Sequence, residues 1–244
     1  KYARYDLEES LQMLEKAEAI DPTSVKLRLR KGATLRALAS YRGDNSLLDT
    51  SANEYRRAIK GKIDNGNERL AASELGEIFR TTGEFDKSLG YLTDALAASK
   101  GNEKAFLLDM RAQTHLFAGH VDAAIADSNA ALDLLDFGLG RKKLAMALLV
   151  KSGVLMRDGD TASAASYAMQ AAETGADIRV LHFLNKSPQT FPAVYAFFQS
   201  HMKELGGVEL ASSALCGAGG FISRADLERL KLLGADLNFV NPGQ

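Results

Sequence analysis

Apolar side chains recur along this chain at spacings of three and four, the period of a helix with one buried face. Leu7, Leu11, Leu14 and Ala17 predict a first helix from Tyr5 to Ile20, ended by Asp21-Pro22. Thr23-Ser24 stands in capping position for a second, Val25 to Ser40, with Leu27, Leu35 and Leu38 among its apolar positions. Arg42-Gly43-Asp44-Asn45 breaks it, and Ser46 to Ile59 is expected to return antiparallel. Gly61 to Asn67, rich in Gly, Asn and Asp, reads as a loop. Glu68 to Thr81 and Glu84 to Ala98 then form the best-defined pair, with Leu75 and Phe79 facing Leu89, Leu92, Ala95 and Leu96.

The turn inside that pair repeats. Gly83-Glu84-Phe85 is followed about 36 residues later by Gly119-His120-Val121, and about 40 residues further on by Gly159-Asp160-Thr161. Helices rich in small residues follow both: Ala123, Ala124, Ala130 and Ala131, then Ala164, Ala165, Ala168 and Ala171. An interval of this size means stacked two-helix units rather than one closed core. The units expected here run from Glu103 to Leu135 and from Lys142 to Ala172, joined by a long link at Asp136-Phe137-Gly138-Leu139-Gly140. After Gly175 the period is lost. Asp177 to Leu184 is a short helical candidate; Phe191 to Leu205, carrying Val194, Phe197, Phe198 and Met202, reads as a helix closing the end of the stack.

Composition agrees with helices. The 244 residues are 46% hydrophobic and only 7% aromatic, with four prolines and no Trp. Ala and Leu dominate, and Ala loses no side-chain entropy in a helix. The formal charge is −1, made of about +4 over residues 1–62, about −7 over 63–140 and about +2 over 141–244. Such a balance gives no whole-chain attraction to nucleic acid or anionic membrane, and the acidic middle would repel phosphates. No apolar run reaches the roughly 18 residues of a membrane span. The one cysteine, Cys216, rules out an internal disulfide and fits a reducing cytosol.

The repeating residues resemble the tetratricopeptide pattern. Leu75, Gly76, Phe79, Gly83, Phe85, Leu92 and Ala95 match it at the family's spacing, with Ala72 in place of the usual Trp and Ser88 in place of the middle Ala. The next unit keeps Leu108, Ala112, Gly119, Val121, Ala124 and Ala131, with His115 where an aromatic is usual and expected to be buried. The one after keeps Leu148, Leu155, Gly159, Ala164, Ala168 and Ala171, with Ser152 at the small position. Leu14 to Pro22 looks like the second helix of such a unit, so the chain opens with half a hairpin. The resemblance covers roughly residues 5–175 and implies an all-α, right-handed solenoid of helical hairpins. The expected organisation is a repeat domain over 1–175, capping helices over 176–210 and a helical terminus over 211–244. Within that terminus, Asp226 to Asn238 and the upstream Ser213-Ala214-Leu215-Cys216 resemble one ankyrin unit, although Cys216 replaces its His and Ile222 its Gly.

Candidate chemistry is sparse. His115, His120, His182 and His201 lack the i, i+4 spacing of a helical zinc site. Cys216 beside Gly217-Ala218-Gly219-Gly220 has no base tied to it, and the stretch lacks the Lys-Ser/Thr ending of a phosphate loop. No catalytic residue, metal or cofactor is therefore expected. The resemblance places a concave channel along the first helix of each hairpin. It assigns to that channel Lys26, Leu29, Arg30 and Arg36; then Ser73, Glu74, Glu77 and Arg80; then Phe106, Asp109, Met110, Gln113 and Phe117; then Met146, Leu149, Val150, Met156 and Arg157. This runs from basic through acidic to apolar and would suit a peptide with an acidic end and an apolar anchor. The Lys and Asn set with which some family members grip a terminal carboxylate is absent, since Leu29, Ala33, Ser73 and Glu77 hold those positions. The implied function is a protein–protein adaptor binding a peptide or helix. Its rivals are a regulatory or targeting fragment of a larger protein, such as a secreted effector, which a start at Lys1 favours, and a small helical enzyme using Cys216 and a His.

Overall fold

The computed structural model describes residues 2–59, 61, 63 and 65–174. All regular structure among the described residues is helical. The chain separates into two compact units, one spanning Lys1–Ala118 and the other beginning at Gly119. The first holds α1 (Tyr2–Ile20), α2 (Val25–Arg42), α3 (Ser46–Ala58), α4 (Gly66–Thr81), α5 (Phe85–Ala97) and α6 (Gly101–Phe117). The second holds α7 (Val121–Leu134), α8 (Gly138–Arg157) and α9 (Thr161–Thr174). The expected helix at Phe191 to Leu205, the candidate at Asp177 to Leu184, the ankyrin-like stretch, Cys216, His182 and His201 lie outside the described residues.

The helix ends follow from local chemistry. Three hairpin turns share one device: the amide of the residue after the turn glycine reaches back five residues. Asp44 N–H donates to the Ala39 carbonyl at 3.0 Å, Glu84 to Phe79 at 2.8 Å and Asp160 to Leu155 at 2.9 Å. Each needs a left-handed residue between, supplied by Gly43 (φ 66°), Gly83 (φ 81°) and Gly159 (φ 89°). Asn65 caps α4, its side chain accepting from the amides of Asn67 at 3.0 Å and Glu68 at 3.1 Å. Ser24 holds the expected cap position of α2 but its side chain makes no cap bond. Asp21 instead accepts from Thr23 N–H and Oγ1, fixing the turn one step earlier. The long link expected before the last hairpin is shorter, because Gly138 and Gly140 already belong to α8. There a Cβ on Gly140 would meet the Phe137 ring at 2.7 Å.

Within hairpins, small residues let helices approach. A Cβ on Gly76 of α4 would lie 2.7 Å from Leu92 Cγ of α5, and one on Gly32 of α2 would lie 2.9 Å from the Tyr55 ring of α3. A buried serine accompanies each approach. Ser51 Oγ donates to the Gly32 carbonyl at 2.7 Å, and Ser88 Oγ to the Gly76 carbonyl at 2.7 Å. In the second unit Ser152 Oγ of α8 donates to the Ala164 carbonyl of α9 at 2.8 Å, with the serine now on the first helix. The paired positions stand nineteen residues apart in α2/α3 and twelve in α4/α5, a difference of seven. Seven residues is about two helical turns, so between the Gly32–Ser51 contact and the Gly43 tip the α2/α3 hairpin reaches about one turn further on each side than α4/α5, with its facing residues unrotated. The α2–α4 core is completed by Leu29, Leu48, Ala58, Leu75, Ile78 and Phe79.

Candidate functional site

In the first unit α4 touches α2 and α6 as well as its hairpin partner α5. The first helices of successive hairpins therefore lie side by side, as the channel reading requires. Spacings of three and four bring Leu70, Ser73, Glu74, Glu77 and Arg80 to one side of α4, and Phe106, Met110, Gln113 and Phe117 to one side of α6.

Side-chain bonds tie these helices together. Arg36 Nε of α2 lies 3.0 Å from Glu74 Oε2 of α4, close enough for an ion pair although not aligned as a hydrogen bond. Glu74 also accepts from the hydroxyl of Tyr55 at 3.3 Å. Burial pushes the Tyr55 phenol up, and the Glu74 carboxylate adds to the effect. Glu77 pairs with Arg80 one turn on, Arg80 Nε donating to Oε2 at 3.2 Å. The Arg80 guanidinium in turn lies 5.2 Å from the ring centroid of Phe117 on α6. At the other end of the same helices, Arg69 Nε bonds Glu103 Oε1 at 2.7 Å. Beneath the wall, Ser88 Oγ lies 3.1 Å from Thr114 Oγ1, which reaches the Met110 carbonyl at 3.1 Å. One buried run of hydroxyls thus links α4, α5 and α6.

The residues expected to line the channel divide. Arg36, Glu74, Glu77, Arg80, Met110 and Gln113 are half-buried; Phe106 is 51% and Phe117 40% exposed. Lys26 and Arg30 are exposed, and no described residue pairs with either. Leu29 and Asp109 are buried and line nothing. Met146 is likewise buried, which corrects the expectation for it: residues 144 to 149 of α8 are all covered, so the helix has no free side there. Leu149 is covered with it. Met156 falls on α8 but its side chain is not among those described. Arg157 is exposed and bonded to Asp158 at 2.9 Å, a hydrogen bond that raises its pKa. His115, expected to be buried, is half-buried; its neighbours Thr114 and Leu116 fill the interior instead. Sequence reasoning missed Leu70, which is 49% exposed. Its signal was available: it stands six residues ahead of Gly76, as Lys26 does of Gly32 and Phe106 of Ala112.

Among the described residues no three His, Cys, Asp or Glu side chains gather as metal ligands, and no helix is long and apolar enough to cross a membrane. No protein-family profile matches the sequence, and no curated protein does. Solved structures do. One titled "Crystal structure of MamA" aligns over 71% of this chain and 91% of its own, at 16% identity and a TM-score of 0.52. Another, titled "Functional Characterization of Pseudomonas Aeruginosa pilF", aligns over 84% of this chain and 87% of its own, at 16% identity and a TM-score of 0.53. At such identity the likeness is one of fold. Both neighbours are tetratricopeptide-repeat structures, and the helical-hairpin fold of this chain is theirs.

Proposed function

We propose that the chain is a non-catalytic protein–protein interaction scaffold, and that it takes a peptide or helix along the wall formed by α2, α4 and α6. The observation carrying this reading is the contrast within that wall. Arg36–Glu74 and Arg80–Phe117 tie neighbouring helices of the wall together, while Lys26, Arg30, Leu70 and Phe106 are exposed on it. A braced surface loses little conformational freedom on binding, so more of the contact energy survives as affinity. Exposed aromatic and Arg side chains are the types that dominate interface energetics. The chain's formal charge of −1 and its acidic middle favour a protein partner over a nucleic acid.

The test is affinity capture with the full chain, repeated with Arg30→Glu and with Met110→Glu. Loss of the same captured proteins in both variants is the expected outcome. An unchanged set with both would remove this wall from consideration.

A further inference from the structure

Asn65-Gly66 is the one Asn-Gly dipeptide in the chain, and it stands where the loop after α3 becomes α4. Asparagine is chemically labile, and most so before glycine. The main-chain nitrogen of the next residue can attack the side-chain amide, and glycine carries no Cβ to shield it. Both residues are exposed here, and a Cβ built on Gly66 would meet nothing nearer than Arg69 Nη2 at 3.9 Å. Beside them opens a cavity of about 410 Å³, lined by Val25, Ala58 and residues 65 to 68. It is polar and wide enough to bring water to the dipeptide.

The fold holds the reaction back. Asn65 Oδ1 accepts from the amides of Asn67 and Glu68, which turns the side chain toward the helix. At ψ 164° the Gly66 nitrogen lies out of the plane of a five-membered ring. Closing that ring means rotating the peptide and breaking both cap bonds. The rate at residue 65 therefore follows the opening of the cap.

We propose that Asn65 is a site of spontaneous covalent modification, and that α4 sorts its products. When the cap opens, the Gly66 nitrogen bonds to Asn65 Cγ. The Cγ–Nδ2 bond breaks, and the side-chain nitrogen leaves as ammonia with the proton from the Gly66 amide. Water then opens the cyclic imide on one of two sides. Hydrolysis at Cγ restores the main chain and leaves aspartate at 65. Hydrolysis at the main-chain carbonyl leaves isoaspartate, with the chain running through Cβ and Cγ. Aspartate keeps an acceptor for the same two amides and adds negative charge at the positive end of a 16-residue helix. Isoaspartate lengthens the main chain by one carbon and keeps its carboxylate on Cα, so neither amide retains its acceptor. The first turn of α4 then loosens. With it go Arg69, whose Nε holds Glu103 Oε1 of α6 at 2.7 Å, and the exposed Leu70. The site is independent of what the wall binds.

The test is incubation of the full chain in mildly alkaline buffer, followed by peptide mapping that resolves Asn, Asp and isoaspartate, with circular dichroism confirming that each variant folds. Acid is expected at residue 65 before Asn45, Asn53, Asn67, Asn102 or Asn129. Gly66→Ala, which has room for its methyl group, should slow the reaction at least about tenfold. Unfolding in urea at the same pH should speed it about fivefold, the factor that corresponds to losing one cap. Asn65→Asp should match or exceed the urea midpoint of the native chain, and Asn65→Ala, which removes the acceptor as isoaspartate does, should fall below it. Acid appearing first at another asparagine, or at 65 with no response to Gly66→Ala, would overturn the site. Equal rates in the folded and urea-unfolded chain would overturn the control by the cap. An Asn65→Asp midpoint as low as that of Asn65→Ala would overturn the sorting of products.

Discussion

A methyl group placed on Gly76 would stand 2.7 Å from Leu92 Cγ, and one on Gly32 2.9 Å from the Tyr55 ring. Neither neighbour is a loose chain end: Leu92 and Tyr55 are each 1% exposed. Gly76→Ala and Gly32→Ala should therefore each cost about 1–3 kcal/mol by overpacking, read as a lower urea midpoint. Leu92→Ala added to Gly76→Ala should recover part of the clash, so the pair will cost less than the sum of the two single changes. Gly76 and Leu92 were legible in the sequence because their spacing is set by where two helices touch. The part played by Ser88 was not. By type it reads as a weakened alanine, yet it is wholly buried and bonds both the Gly76 carbonyl and Thr114. Ser88→Ala should cost about 1 kcal/mol, since Thr114 keeps the Met110 carbonyl and the loss is one net hydrogen bond. Small size and hydroxyl chemistry coincide in serine, so a spacing argument sees only the first.

At the scale of the element, α1 is held differently from the helices after it. None of its described residues is buried; Met13 is 57% and Ile20 87% exposed. It is fastened by charges. Glu8 meets Arg42 at 2.5 Å, and Glu18 meets Lys31 at 2.7 Å and Arg57 at 3.2 Å, with Glu54 facing both cations. The hydrogen bond from Lys31 lowers the pKa of Glu18 against the opposing effect of desolvation. Burial works against the Lys31 ammonium, but its bonds to Glu18 and Glu54 outweigh it and raise its pKa. Because the folded pKa of Glu18 is depressed, its stabilisation is complete above the ordinary value of 4.5 and disappears as the pH falls through the lower folded value. Hydrogen exchange should show α1 losing protection below that pH and in about 1 M salt, where screening shortens to about 3 Å, while α4 keeps its own. Equal loss in both helices would contradict an ionic attachment. The amphipathic period of α1 was plain in the sequence. Its fastening was not, because the ion pairs join residues on three different helices, beyond the reach of i, i+4 reasoning.

For the whole molecule, the division after Ala118 predicts how damage spreads. Stability in a hairpin array is close to a sum of local terms and nearest-neighbour terms. Gly32→Ala in α2 and Ser152→Val in α8 lie in separate units and share no partner, so their effects on unfolding free energy should add within about 0.5 kcal/mol. A larger departure would mean that the two sites are energetically coupled. The hairpin architecture was readable from the interval between glycine turns. Which candidates stay available to a partner was not, because Met146 on α8 is buried while Phe106 on α6 is half exposed, and both are apolar residues at the same level of their hairpins.

The extra reach of the α2/α3 hairpin has a consequence for how such chains change length. Growth by whole turns displaces the Gly43 tip by about 5 Å outward while every inward-facing atom keeps its bearing. An insertion of five residues would swing Ser51 away from the Gly32 carbonyl and the tyrosine away from its glycine seat. Hairpins of this kind can thus lengthen only in quantised steps, and a repeat read by counting residues falls out of phase where a repeat read by its touching atoms does not.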